Sequence, residues 1–277
     1  METYRKPLAF AFMGALLLLV GFLQSWSVAL GIINLCLISA IMALGVNIQW
    51  GYAGLFNVGV MGFAALGGLA GVLVSTPPVA AAWAAGGTGI VLAGGVLLAT
   101  VAAVWCVTRR PFLMRNVVVA IIICAGFFAM RHFYDPAVEA IEAVDSARTG
   151  YLGGLGLPIL LSWLVGGLFA AGAAWVVGKI ALGLRSDYLA IATLGISEII
   201  VAVLKNEDWL TRGVKNVSGL PRPVPYEVDL QQAAWFQSLS ETLAMSTVDL
   251  SSLFVKLCYA ALFATVLFIV LWLSETA

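Results

Sequence analysis

Pro7 to Thr108 read PLAFAFMGALLLLVGFLQSWSVALGIINLCLISAIMALGVNIQWGYAGLFNVGVMGFAALGGLAGVLVSTPPVAAAWAAGGTGIVLAGGVLLATVAAVWCVT, and these 102 consecutive residues contain no Asp, Glu, Lys or Arg. A helix needs roughly 20 apolar residues to cross the hydrocarbon core of a bilayer, so the stretch has room for about four crossings. A soluble protein cannot leave so much of its surface uncharged and stay dispersed. The stretch therefore predicts an integral membrane protein.

The composition of all 277 residues agrees with this prediction, because 62% are hydrophobic and only 10% are charged. Soluble domains carry about 25% charged residues. The formal net charge is zero, so nothing indicates a nucleic-acid partner. One histidine and four cysteines without a CxxC pair predict no metal site, and no motif indicates a cofactor.

Hydropathy predicts an all-α, polytopic transmembrane helix bundle with one domain over residues 1–277. The eight expected spans cover residues 8–24, 28–48, 56–75, 84–107, 116–130, 156–178, 188–204 and 252–273. The first span runs too long for a signal peptide, so we interpret it as uncleaved. Residues 205–251 form a long loop, which favours a binding or docking surface.

Basic residues in short loops predict that the N-terminus of this multi-pass membrane protein is cytoplasmic. The residues that place these loops on the cytoplasmic face are Arg5, Lys6, Arg109, Arg110, Arg115, Lys179 and Arg185, with Asp187 beside the last of them. Residues 76–83, 131–155 and 205–251 would then lie outside. Asp135 and Pro136 resemble a helix N-cap followed by proline at the first helical position, which predicts a short interfacial helix there.

A polar cluster interrupts the apolar run where the second predicted span ends. Its polar side chains are those of Asn47, Gln49, Tyr52 and Asn57, and its glycines are Gly51, Gly54 and Gly59. Polar groups at membrane depth cost free energy unless they are paired, and glycines permit unwound backbone. Broken helices of this kind often line the substrate path of transporters. An ordinary polar turn at the membrane interface is the other interpretation.

A second cluster surrounds an acidic residue inside an apolar helix. Glu198 lies two to three turns into the seventh span, where a charge costs about 2.5–3.5 kcal/mol on insertion scales. Asp187 and Lys205 share its helix face. We expect Glu198 to face the bundle interior or a water-filled cavity. A functional role is one interpretation of this residue, and an interhelical hydrogen bond or helix-end snorkelling is the other.

Three motifs follow one another along the chain: GVNIQWGYAGLFNVGVMGFAALGG from Gly45, LRSDYLAIATLGISEII from Leu184 and GVKNVSGLPRP from Gly213. In this order they resemble the LivM-type permeases of branched-chain amino-acid ATP-binding-cassette importers. The likeness covers roughly residues 28–107 and 180–225. The positions that match the family pattern are Gly45, Asn47, Gly51, Tyr52, Gly54, Leu55, Asn57, Gly59, Arg185, Asp187, Tyr188, Leu189, Ala190, Ile191, Thr193, Leu194, Gly195, Glu198, Ile199, Gly213, Asn216, Gly219, Pro221 and Pro223.

The resemblance implies a non-enzymatic permease subunit in a bacterial inner membrane, working by alternating access. Its implied partners are separate cytoplasmic ATPase subunits, a second permease subunit and a periplasmic solute-binding protein. Asn47, Gln49, Tyr52, Asn57 and Glu198 are the candidate pathway residues, with Gly51, Gly54, Gly59 and Gly195 in backbone and packing roles. Arg109, Arg110, Arg185 and Asp187 would lie at the cytoplasmic face.

The chain departs from the family pattern in two places. Residues 116–178 form an additional pair of spans, and the chain ends at Ala277, where the family continues into a loop that docks on the ATPase. We therefore expect a permease domain truncated at its C-terminus. An ion-coupled secondary transporter and a urea- or amide-type permease remain alternatives, whereas a membrane-embedded enzyme would need clustered catalytic groups that the spans lack.

Overall fold

The computed structural model describes residues 2–109, 114–145, 150–181, 183–213, 215, 217 and 219–276. Every regular element within these ranges is helical. Six of the helices are long and apolar enough to cross a membrane, so the prediction of an all-α, polytopic membrane protein is confirmed. The predictions that concern Arg110 and Asn216 fall outside the described residues.

The described helices are labelled in chain order. They are α1 (Glu2–Leu23), α2 (Trp26–Asn47), α3 (Val60–Ala70), α4 (Ala80–Ala82), α5 (Thr88–Thr108), α6 (Arg115–Ala143), α7 (Ile159–Ala181), α8 (Ser186–Asn206), α9 (Asp208–Thr211), α10 (Glu227–Gln232), α11 (Ala234–Thr242) and α12 (Thr247–Thr276). Three π-helical turns extend them: Ile48–Tyr52 follows α2, Gly71–Ser75 follows α3, and Trp83–Gly87 joins α4 to α5.

Six of the eight expected spans have membrane-spanning length in the described residues. They are Trp26–Tyr52, Ala80–Thr108, Arg115–Ala143, Ile159–Ala181, Ser186–Asn206 and Thr247–Thr276. The first and third expected spans correspond to shorter apolar helices, Pro7–Leu23 and Val60–Ser75. The third begins later than the hydropathy indicates because residues 53–59 are not helical.

The short interfacial helix predicted to begin at Asp135 is wrong, because α6 continues through Pro136 as a single helix. The Arg131 guanidinium bonds the Asp135 carboxylate at 2.7 Å, so this acid pairs one turn back along α6 instead of capping a new helix. Gly86 and Gly89 lie against Ala137, leaving room for the extra turns to pack. This packing outweighs the helix-breaking tendency of proline.

One compact unit comprises Met1–Asn57 and Arg222–Ala277. Within it, α2 packs along α12, and the short helices α10 and α11 pack against the beginning of α12. Phe236 is fully buried there beside Leu250 and Val255. The loop expected over residues 205–251 thus contains a small folded core in this unit, built by the apolar face of α11.

The other compact unit comprises Val58–Pro221. Within it, α5 packs against α6, and α3 packs against both α7 and α8. Small residues set these contacts: a Cβ on Gly126 would lie 2.3 Å from the Thr100 hydroxyl oxygen, and one on Gly166 would lie 3.0 Å from the Gly67 carbonyl oxygen. Close approach through glycine is typical of helix pairs in membranes.

An extended segment, residues 150–157, lies across the end of α3, and we call it the strap. Its N–H groups donate to carbonyls at this helix end: Leu155 to Leu73 (3.0 Å), Gly156 to Thr76 (2.9 Å) and Leu157 to Val74 (2.9 Å). The last carbonyls of a helix lack partners within the helix itself. The strap therefore supplies the donors that the end of α3 requires.

Glycine is required in the strap at two kinds of position. Gly153 and Gly156 have φ of +77° and +67°, in the left-handed region. Gly154 lies so close to the π turn Gly71–Ser75, which extends α3, that a Cβ would be 2.4 Å from the Val72 carbonyl oxygen. Since that oxygen belongs to backbone, the strap itself would have to shift.

We expect Gly154→Ala to lower the stability of the purified protein by about 1–3 kcal/mol, because the added methyl overlaps backbone of α3. The measurement is the thermal unfolding midpoint in detergent. Gly167→Ala is the matched control: Gly167 lies in α7, and no atom lies within 4 Å of the position that its added Cβ would take. Equal midpoints for the two variants would contradict the close contact between strap and helix.

Candidate functional site

The polar cluster at the end of α2 is a break in the helix. After Asn47 the helix widens into the π turn Ile48–Tyr52, and the chain then unwinds. Gly54 has a φ of +66°, which permits the change of direction. Unwound backbone within an apolar segment must satisfy its polar groups locally, so hydrogen bonds from the cluster's own amides become necessary.

Gln49 and Asn57 hold this break together. The Asn57 side-chain amide donates to the Gln49 side-chain oxygen at 2.8 Å, and the Leu55 N–H donates to the Gln49 carbonyl at 2.9 Å. Phe56 packs edge-on against Trp50, with ring centroids 4.8 Å apart. Gln49 therefore stabilises the unwound segment through both its side chain and its backbone.

The remaining polar members of the cluster are accessible. Asn47 is exposed, and Tyr52 exposes 67% of its surface. A Cβ on Gly51 would lie 2.5 Å from the Asn47 side-chain oxygen. The cluster thus has a self-bonded half, formed by Gln49 and Asn57, and a half that presents an amide and a phenol to its surroundings.

In the Val58–Pro221 unit, the beginning of α3 lies directly on α8. The N–H groups of a helix's first turn have no partners within the helix, and Gly59 at the N-cap has no side chain to supply one. The Thr193 hydroxyl accepts from the Val58 N–H at 3.2 Å. The Ser197 hydroxyl accepts from the Gly62 N–H at 2.8 Å, and the same N–H also makes a longer bond to the Gly59 carbonyl.

We call this contact the α3/α8 seat. Thr193 and Ser197 are one turn apart on the same face of α8, and each is only 4% exposed. A Cβ on Gly59 would lie 2.3 Å from the Thr193 carbonyl oxygen, and one on Gly62 would lie 2.9 Å from the Ser197 hydroxyl oxygen. The glycines therefore allow the approach, and the Ser197 hydroxyl supplies the first turn with the acceptor that Gly59 lacks.

Glu198 lies on a different side of α8 from the seat. It belongs to a row of exposed residues along the helix, the α8 stripe, whose members are Asp187, Ile191, Leu194, Gly195, Glu198, Ala202 and Lys205. Among the described residues, none forms a hydrogen bond or ion pair with the Glu198 carboxylate. No described helix of this unit covers Glu198, and its facing the bundle interior or a water-filled cavity stays a prediction.

The candidate residues at the cytoplasmic face have separate positions. Arg109 ends α5, and its guanidinium stacks on the Trp105 ring at 3.8 Å from the centroid. Arg185 is the N-cap residue of α8. Asp187 lies in the first turn, where a negative charge interacts favourably with the helix dipole. Arg110 lies outside the described residues.

Lys256 is an interior charge that the sequence patterns did not single out. It lies within the apolar α12, and its ammonium donates to the Ser27 carbonyl at 3.0 Å and also to the Ser27 hydroxyl. The Asn34 amide donates to the Lys256 carbonyl at 3.1 Å. A lysine inside an apolar run was the available signal, and these bonds link α2 to α12 within their unit.

Two curated proteins resemble part of the chain. The "High-affinity branched-chain amino acid transport system permease protein LivM" of Escherichia coli (strain K12) is 37% identical over 95 residues, which are 34% of this chain and 22% of that protein. The protein of the same name from Salmonella typhimurium is 35% identical over 94 residues, with the same coverage. The match thus spans about a fifth of the length of these relatives. No protein-family model and no solved structure matches the chain.

We expect Ser197→Ala to destabilise the protein by about 1 kcal/mol, because the Gly62 N–H loses its shorter hydrogen bond away from water. Thermal midpoints in detergent provide the measurement. Ser274→Ala is the control, since Ser274 lies near the end of α12 and bonds only a carbonyl of its own helix. A Ser197→Ala midpoint equal to that of the control would show that the seat does not depend on this hydroxyl.

Proposed function

We propose that the chain is a permease subunit of an ATP-binding-cassette importer in a bacterial inner membrane. Its solute would be a branched-chain amino acid or a related small polar molecule. The observation that carries the proposal is the partial likeness to two LivM permeases, together with six helices of membrane-spanning length among the described residues. Permeases bind and pass the solute without covalent chemistry, so no catalytic residue is assigned.

Within the Met1–Asn57 and Arg222–Ala277 unit, we assign solute contact to Asn47, Gln49, Tyr52 and Asn57. The exposed amide of Asn47 and the phenol of Tyr52 support this role because they offer hydrogen-bond donors and acceptors beside unwound backbone. Gln49 and Asn57 would act mainly by stabilising the unwound segment beside the solute, since their side-chain amides bond each other.

Within the Val58–Pro221 unit, we assign a pathway role to Glu198. A carboxylate in the middle of an apolar helix is too costly to leave in lipid, yet no described helix of its unit covers it. A water-filled path or a second subunit along the α8 stripe would remove that cost. Apolar neighbours at Ile191 and Leu194 suit a solute that has both an ammonium group and an aliphatic side chain.

The partners follow from the same resemblance. Two ATPase subunits would contact residues 109–115 and 179–187 at the cytoplasmic face, and a solute-binding protein would contact residues 131–155 and 205–251 on the other side. A second permease subunit would complete the pathway. With this orientation the N-terminus is cytoplasmic, and residues 116–178 are an insertion relative to the family.

The direct test is uptake into proteoliposomes containing the complex purified through a tag on this chain from its native host. We expect uptake of labelled leucine that requires ATP and the solute-binding protein and that persists when an ionophore removes ion gradients. Uptake that stops with the ionophore and ignores ATP would instead establish the ion-coupled secondary transporter. Labelled urea and acetamide, supplied in parallel, distinguish the amide-type permease.

In the same assay, we expect Glu198→Gln to reduce leucine uptake about tenfold or more, equivalent to at least about 1.4 kcal/mol, while the complex remains assembled. The reason is the loss of a charge that faces the solute. Glu275→Gln is the control, because Glu275 is an exposed acid near the end of α12, outside the segments assigned to solute or partners. Full uptake by Glu198→Gln, with the complex intact, would rule out the assignment of Glu198 to the pathway.

A further inference from the structure

A long apolar groove lies between α5 and α6, outside the polar cluster and the α3/α8 seat. Its volume is about 520 Å³, within the roughly 300–1,000 Å³ range of small-molecule sites. The lining residues are Leu97, Thr100, Val101, Val104, Trp105, Thr108, Ile123, Gly126, Phe127 and Met130. Both helices are long and apolar enough to cross a membrane, so the groove would lie in the hydrocarbon region of a bilayer.

The groove exists because Gly126 has no side chain opposite Thr100. A Cβ on Gly126 would meet the Thr100 side chain at 2.3–2.4 Å, so the helices touch at this point and leave a notch beside it. The two threonines do not make the walls polar, because their hydroxyls donate to carbonyls of their own helix: Thr100 to Val96 (2.8 Å) and Thr108 to Trp105 (2.9 Å). The groove therefore offers no polar group that would favour water.

The length of the groove corresponds to that of one lipid leaflet. From Leu97 to Thr108 the α5 backbone rises about 16 Å, at 1.5 Å per residue. Half of a hydrocarbon core about 30 Å thick is about 15 Å, which is the depth that an acyl chain occupies. An extended acyl chain thus fits the groove from end to end.

A cation and an aromatic ring lie at one end of the groove. The Arg109 guanidinium stacks on Trp105 at 3.8 Å, and Trp105 itself lines the groove. Stacking occupies the face of the guanidinium and leaves its N–H donors directed outward in the plane, the geometry that matches phosphate oxygens. Tryptophan also favours the headgroup level of a bilayer.

We propose that this groove binds one anionic phospholipid, with an acyl chain between α5 and α6 and the headgroup phosphate at Arg109. Charge complementarity at Arg109 and the apolar length of the groove both favour this occupant over a helix of another protein. The site does not depend on the transport activity proposed above.

The test is native mass spectrometry of the delipidated protein in detergent, titrated with phosphatidylglycerol or phosphatidylcholine of identical acyl chains. We expect the unmodified protein to retain phosphatidylglycerol at concentrations at least severalfold lower than phosphatidylcholine. Arg109→Gln should remove this preference while retaining binding of both lipids. Equal retention of the two lipids by the unmodified protein would overturn the assignment of the headgroup.

Matched tryptophan substitutions locate the acyl chain. Val101→Trp fills the groove from α5, whereas Leu98→Trp adds the same ring at an exposed position that does not line it. Ile123→Trp and Phe128→Trp provide an equivalent pair on α6, so a folding failure of one variant leaves a second test. We expect lipid retention to fall only in Val101→Trp and Ile123→Trp. Equal retention within both pairs would place the lipid elsewhere and overturn the proposal.

Discussion

The backbone of α3 needs hydrogen-bond partners from other segments at both of its ends, and the Val58–Pro221 unit is organised around that constraint. At its beginning, the Thr193 hydroxyl accepts the N–H of Val58, which precedes the helix, and the Ser197 hydroxyl accepts that of Gly62 in the first turn. At its end, the strap donates three N–H groups to carbonyls. Because unsatisfied backbone groups in hydrocarbon cost several kcal/mol each, these contacts fix where the short helix begins and ends. They also fix α8 and the strap relative to α3 within the unit.

The sequence alone predicts the features that depend on local composition. The uncharged run from Pro7 indicates membrane spans, and glycines with amides near Gln49 indicate a helix break. Prediction from the sequence fails where residues distant in the chain decide the local structure. Asp135 and Pro136 resemble a helix start, but contacts with Gly86 and Gly89 keep α6 continuous. The strap was not predictable for the same reason, since its hydrogen bonds join residues about 80 positions apart in the chain. Glu198 was identifiable as unusual, whereas its position on an exposed stripe required the structure.

The glycines that the sequence groups together have different physical roles. Gly54 provides a left-handed φ, and Gly59 allows two backbones to approach. Gly195 has open space around it on the α8 stripe, beside Glu198. Residues 116–178, which the resemblance marks as an insertion, contribute the strap, so this segment is part of the support for α3. These residues therefore have a structural role within the unit, whereas the α8 stripe is a surface that no described helix of the unit covers.

Residues 58–62 and residues 193–197 meet because α3 begins on the Thr193–Ser197 face of α8. A Cβ on Gly59 would lie 2.3 Å from the Thr193 carbonyl oxygen, which belongs to backbone, so an added methyl must push the two helices apart. The most direct measurement is the thermal unfolding midpoint in detergent of Gly59→Ala beside that of Gly68→Ala, whose added Cβ would have no atom within 4 Å. Gly59→Ala should unfold at a clearly lower temperature than Gly68→Ala. Equal midpoints for the two variants would contradict the close contact between α3 and α8.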